Sequence, residues 1–176
     1  MRMEEQLRRF RNAAALSLAL AVVAVRADAS EPLISIAVLD FDYSDSSGEP
    51  QDQTAIHRAR VNEFTARIRA ALADSGAYRV VAARCPATPC SAKNYAPEEL
   101  FAMARQAGAK LMLFGGLHKM STLVQWGRVE LVDVDANRLL DERPLSFRGD
   151  DDQAWRRAAD YVAQKLIKQA GEQLRQ

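Results

Sequence analysis

The chain has 176 residues, 24 basic against 23 acidic, with 48% hydrophobic content and two cysteines. That length supports one packed core rather than several. The balanced charge argues against nucleic acid as the main partner, since phosphate binding needs a concentrated basic field to release counterions.

The first element has the features of an export signal. Met1 to Asn12 carries Arg2, Arg8, Arg9 and Arg11 against Glu4 and Glu5, and Ala13 to Val25 is apolar except for Ser17. As a helix that run spans only about 20 Å, short of the ~30 Å hydrocarbon core. Ala27 and Ala29 form an A-x-A site around Asp28, with Val25-Arg26-Ala27 as a second possible site. Residues 1–29 are therefore expected to be a cleaved signal peptide, with the cut between Ala29 and Ser30. An uncleaved anchor or a cytosolic amphipathic helix is the rival reading, although the run has no polar face. No cysteine follows it to carry a lipid, and Arg8-Arg9 lacks twin-arginine spacing, which favours the general secretory route. The expectation is a periplasmic protein without a permanent membrane anchor after cleavage. Its single domain, 30–176, retains 19 basic and 20 acidic residues.

Leu33 to Phe41 (LISIAVLDF) is apolar and β-branched, as a central strand buried on both faces would be. Asp42 to Gln53, rich in Ser, Asp, Gly and Pro, is expected to be a loop. From Ala55 to Ala73, Val61, Phe64, Ile68 and Leu72 recur at helical spacing, with an Arg-rich outer side expected to be solvated. Asp74-Ser75-Gly76 ends that helix, and Tyr78 to Val81 follows as a short strand, parallel to the first through a right-handed crossover.

The two cysteines lie in Arg84-Cys85-Pro86-Ala87-Thr88-Pro89-Cys90. In an oxidising compartment an even pair is expected to form a disulfide; free thiols and a metal site are the alternatives. The C-x4-C spacing is not the redox C-x-x-C, and two thiols fall short of a zinc ligand set. No metal and no cofactor is expected.

Pro97 opens a second helix that ends near Gly108, and Lys110 to Met120 is a third strand in which Gly115-Gly116 suggests close packing or a bulge. Thr122 to Val134 and Arg138 to Phe147 follow as strands joined by Asp135-Ala136-Asn137, and Asp152 to Leu174 closes the chain as a long helix. The order β-α-β-α-β-β-β-α implies an α/β fold. Its five-stranded mixed sheet is expected in the order 2-1-3-4-5, flanked by helices.

Several residues could carry chemistry. Asp40 and Asp42, at the carboxyl end of the first strand, stand where α/β enzymes place catalytic groups, so a carboxylate-based hydrolase or small-ligand binder is conceivable; no positioned histidine or metal motif accompanies them. Asp150-Asp151-Asp152 lacks calcium-loop spacing and is expected to supply a helix N-cap from Asp150 or Asp151. Phe114 to Lys119 does not meet the phosphate-loop pattern, and His57 and His118 are expected to be solvated or hydrogen-bonded rather than ligands. Trp126 shares a strand face with Arg128. If that face is open, the pair has the composition of an interaction hot spot; if a helix covers it, Trp126 is core, and the expectation leans towards core.

Beyond these patterns, the chain resembles a family of uncharacterised exported bacterial proteins, a domain of unknown function. The matching segments include Ala37 to Phe41 leading into Asp45-Ser46-Ser47, Gly76 to Val81 and Ala107-Gly108-Ala109. Lys119-Met120-Ser121-Thr122-Leu123 is similar to the family's K-V-S-N-L, and Arg148 to Arg157 to its R-G-N-T-D-E-S-W-R-R, with Asp150 in place of Asn and Ala154 in place of Ser. At fold level the pattern also resembles the N-terminal domain of the Tol-Pal translocation protein B and the periplasmic domain of the curli secretion channel, which work by binding partners. The resemblance implies a non-catalytic domain that binds another periplasmic or envelope protein.

Overall fold

The computed structural model describes residues 33–173; the expected signal peptide 1–29 and the Ala29/Ser30 cleavage site lie outside the described residues. The elements are β1 (Ile34–Val38), β2 (Asp42–Asp45), α1 (Thr54–Asp74), β3 (Tyr78–Val81), α2 (Pro97–Gln106), β4 (Leu111–Ser121), β5 (Val124–Asp133), β6 (Arg138–Arg148) and α3 (Asp152–Gln173). The fold is α/β with a mixed sheet ordered β3-β1-β4-β5-β6, and β2 adds a sixth strand against β4. β1 is parallel to β3 and to β4, whereas β4, β5 and β6 form an antiparallel meander.

The sixth strand corrects the sequence expectation of one strand to Phe41 and a loop from Asp42. β1 stops at Val38, the chain jogs through Leu39–Phe41, and it re-enters the same lane as β2, with Asp42 opposite Gly116 and Asp45 opposite Lys119. The cause is side-chain parity. Residues two apart on a strand share a face, yet Leu39 belongs to the core under α2 and Phe41 to the core under α1 and α3. Only a break between them lets both bury. The jog is held by Leu39 N–H to Leu113 O at 2.8 Å and Asp40 N–H to Cys90 O at 2.9 Å.

Each sheet face carries its own helices. Ile36, Val38, Leu113 and Val129 point towards α1 and α3, where Phe64, Ile68, Trp155 and Leu166 meet them. Ala37, Leu39, Met112 and Val132 point the other way, onto Leu100 and Ala104 of α2. With only ten residues, α2 covers the β1 end of that second face.

Gly115 shows how closely β4, β5 and the jog approach one another. A Cβ there would strike the Arg128 carbonyl and stand 2.7 Å from the Phe41 ring, so glycine is required sterically. Gly149, at φ 105°, turns the chain off β6, and its N–H closes on Leu123 O at 2.9 Å.

Candidate functional site

Alternation along β5 buries Gln125, Val129 and Leu131 and turns Trp126, Arg128 and Glu130 to the second face, beyond the reach of α2. Trp126 is 41% exposed, which corrects the expectation that it is core. Its cross-strand neighbours are His118 and Ser146. The His118 ring is held between Ser44 Oγ and Ser46 Oγ, each at 2.8 Å. Arg128 Nε lies 3.2 Å from Glu142. Burial, and then the charge of Glu142, push the Glu130 carboxyl up. Exposed Met120 and Leu123 stand at the β4–β5 turn, so aromatic, cationic and apolar groups share an uncovered area.

On the opposite face, beneath α1 and α3, lies a charged hub that the local pattern did not disclose. Lys119 is fully buried, and its Nζ donates to Glu49, Gln53 and Asp150, each at 2.7 Å. Asp150 also receives Arg60 Nη1 at 2.8 Å and contacts His57 Nε2 at 2.9 Å. His57 is buried and stacks on Tyr43, with ring centroids 4.9 Å apart. Burial works against the Lys119 ammonium, but its hydrogen bonds to Asp150 and Glu49 outweigh this and hold it above the usual lysine range. Burial likewise works against ionised Asp150, while Lys119 and His57 hold it below the usual carboxylate range. Burial and the nearby charges of Asp45 and Asp150 push the Tyr43 hydroxyl up.

Near the hub one local expectation narrows and another changes. Asp151, not Asp150, caps α3: its carboxylate accepts the Ala154 N–H at 2.7 Å. The Arg-rich side of α1 is not merely solvated, because Arg60 reaches Asp152 at 2.9 Å, Arg67 reaches Asp160 at 2.5 Å and Glu63 receives Arg156 at 2.6 Å. These pairs stitch α1 to α3.

Asp40 and Asp42 do not share the carboxyl end of one strand as the sequence suggests: β1 stops at Val38, Asp40 lies in the jog and Asp42 opens β2. Asp40 accepts Arg69 Nη2 at 2.9 Å through one oxygen and the Cys90 N–H at 2.8 Å through the other. Asp42 accepts the Lys93 N–H at 3.0 Å. Asp40 thus holds the end of the loop that Cys85 and Cys90 close, and Asp42 the segment just after it, the two cysteines being paired with Cα atoms 5.6 Å apart. Beside them an open groove of about 1050 Å³ is lined by Tyr43, Asp52, Arg58 and Lys93. Among the described residues no group of three or more His, Cys, Asp or Glu could hold a metal ion.

Residues 34–167 match the model of the DUF3280 family, described as "Protein of unknown function (DUF2380)". No curated protein matches the sequence. Among solved structures, the LpoB C-terminal domain from Escherichia coli is 14% identical, with 64% of this chain and 81% of that one covered, at a TM-score of 0.47. TolB from Acinetobacter baumannii is 16% identical, over 80% of this chain and 28% of that one, at 0.49. The PelC dodecamer from Paraburkholderia phytofirmans is 15% identical, over 77% and 86%, at 0.49.

Proposed function

The chain belongs to the DUF3280 family, whose function is unknown, and we propose that it is an exported, non-catalytic accessory domain of the periplasm that binds a protein partner through the open sheet face at Trp126 and Arg128. The observation that carries this reading is the exposure of Trp126 on the part of the sheet that α2 leaves uncovered. Aromatic residues and arginines dominate interface hot spots because they lose large contact area and directed hydrogen bonds together when truncated. Engagement of both Asp40 oxygens by Arg69 and the Cys90 amide supports a structural rather than a catalytic role for that carboxylate.

Site-specific photo-crosslinking in cells tests the binding reading. A crosslinker at position 126 should give one discrete protein adduct that disappears with Arg128→Glu, whereas a crosslinker at exposed Arg79 should give none. Equal labelling from both positions, or none from 126, would overturn it. Export through the general route predicts an intact mass beginning at Ser30, and periplasmic protein still beginning at Met1 would refute cleavage.

A second reading rests on the groove beside Asp40 and Asp42, whose mixed lining of Tyr43, Asp52, Arg58 and Lys93 suits a small polar ligand. Saturable binding of a periplasmic small molecule that Lys93→Glu abolishes and Trp126→Ala leaves intact would favour it.

A further inference from the structure

We infer that the free edge of β6, with the groove between it and α3, is a second docking surface, which takes an extended acidic segment of a protein partner as an added strand. This goes beyond the Trp126 face and does not depend on it. Among the described residues the sheet ends at β6, which pairs only with β5 along Arg138–Arg148. Its outer N–H and C=O groups therefore form a template for another strand.

Alongside runs a groove of about 380 Å³ between β6 and the first half of α3. Leu145, Ala154 and Ala158 are buried beneath it, while Ser146, Arg157 and Tyr161 are exposed along its sides. An edge strand beside a helix, separated by a groove with an apolar floor, is the geometry in which backbone hydrogen bonds hold a peptide and alternate side chains enter the groove.

Charge sets the chemistry of the guest. Arg148 and Arg157 line the groove without an acidic partner among the described residues. Lys165 lies farther along α3, 5.3 Å from the centre of the Tyr161 ring. The acids of β6 are already paired, Asp141 with Arg143 and Glu142 with Arg128. An acidic strand would neutralise free cations there, and a basic one would be repelled. Pro144 removes one donor from the middle of the edge, so uninterrupted edge-to-edge pairing with a second copy is disfavoured. Pairing is thereby directed to Leu145–Arg148, beside the groove.

The test uses the exported protein and two probes, a heptapeptide of alternating aspartate and valine and its lysine–valine counterpart, followed by amide chemical shifts and fluorescence anisotropy. The acidic peptide should shift the amides of Ser146, Phe147 and Arg148 and those facing them on α3. It should slow their hydrogen exchange, and it should bind roughly tenfold more weakly to Arg157→Glu, a surface change that leaves the core intact. Trp126→Ala should bind it as wild type does. Absence of binding, equal binding of the lysine peptide, shifts confined to the Trp126 face, or self-association through β6 in sedimentation would each overturn the inference.

Discussion

Lys119 Nζ donates to Asp150 Oδ2 at 2.7 Å, joining the middle of the sheet to the segment that leads into α3. The lysine is fully buried and the aspartate side chain only 12% exposed, so the pair sits where an uncompensated charge is costly. Removing Asp150 would leave Lys119, His57 and Arg60 facing an empty acceptor position. Asp150→Ala should therefore cost about 3 kcal/mol in urea unfolding, within the range for breaking a buried pair. Lys119→Met together with Asp150→Ala should cost less than the two single changes added, by roughly 1 to 2 kcal/mol. Strict additivity would show that the pair is not coupled.

The same contact makes stability depend on pH in a stated direction. Asp150 is held below its ordinary value of 3.8 in the folded protein, so the unfolded chain takes up its proton first as acid is added. The stabilisation is fully present above that value and is lost as pH falls through the lower folded one. Lys119 is raised above 10.5, so its contribution is complete below that pH and is lost only as pH rises through the folded value. Unfolding free energy should therefore fall more steeply below about pH 4 in the wild type than in Asp150→Asn. Parallel acid limbs would contradict the assignment.

Gly115 and Gly116 are adjacent and chemically identical, yet they should respond very differently to alanine. At Gly115 the new methyl would press on the Arg128 backbone and the Phe41 ring, neither of which can swing away, whereas at Gly116 it would meet Asp42 Cβ at an ordinary 3.6 Å. Gly115→Ala should destabilise by roughly 1 to 3 kcal/mol through overpacking, and Gly116→Ala should be close to neutral. Thermal melts of the two variants, run side by side, decide this. A neutral Gly115→Ala would mean that β4 and β5 can separate locally.

What the sequence discloses follows the distance over which each feature acts. The α1 stripe of Val61, Phe64, Ile68 and Leu72, the Pro97 start of α2 and the Asp151 cap involve neighbours a few residues apart, and periodicity or cap chemistry exposes them. The order of the five main strands follows from their alternation with helices. The short strand β2 does not, because Asp42-Tyr43-Ser44-Asp45 has the composition of a turn and becomes a strand only by pairing with Gly116–Lys119. The hub is illegible for the same reason. Lys119 draws Glu49 from 70 residues away, Gln53 from 66 and Asp150 from 31, and no local pattern marks any of them. The exposure of Trp126 is not legible either, because alternation gives its face but not the extent of α2 that would cover it.

The two tryptophans offer a final separation of folding from binding. Trp155 is 2% exposed and forms the hinge of the aromatic cluster, with Phe147 at 5.6 Å, Tyr43 at 5.9 Å and Phe64 at 6.3 Å from its ring. Truncating it leaves a cavity between α3 and the sheet, so Trp155→Ala should cost about 3 to 5 kcal/mol, a large part of the ~5 to 15 kcal/mol that holds a typical domain together. Trp126 lies on the open face, and Trp126→Ala should stay within about 0.5 kcal/mol of wild type while no longer capturing the protein partner. Chemical unfolding of both variants, with partner capture measured on each while folded, distinguishes the roles. A Trp155→Ala protein of wild-type stability would remove the structural assignment. A strongly destabilised Trp126→Ala would mean that its face is packed rather than available for binding.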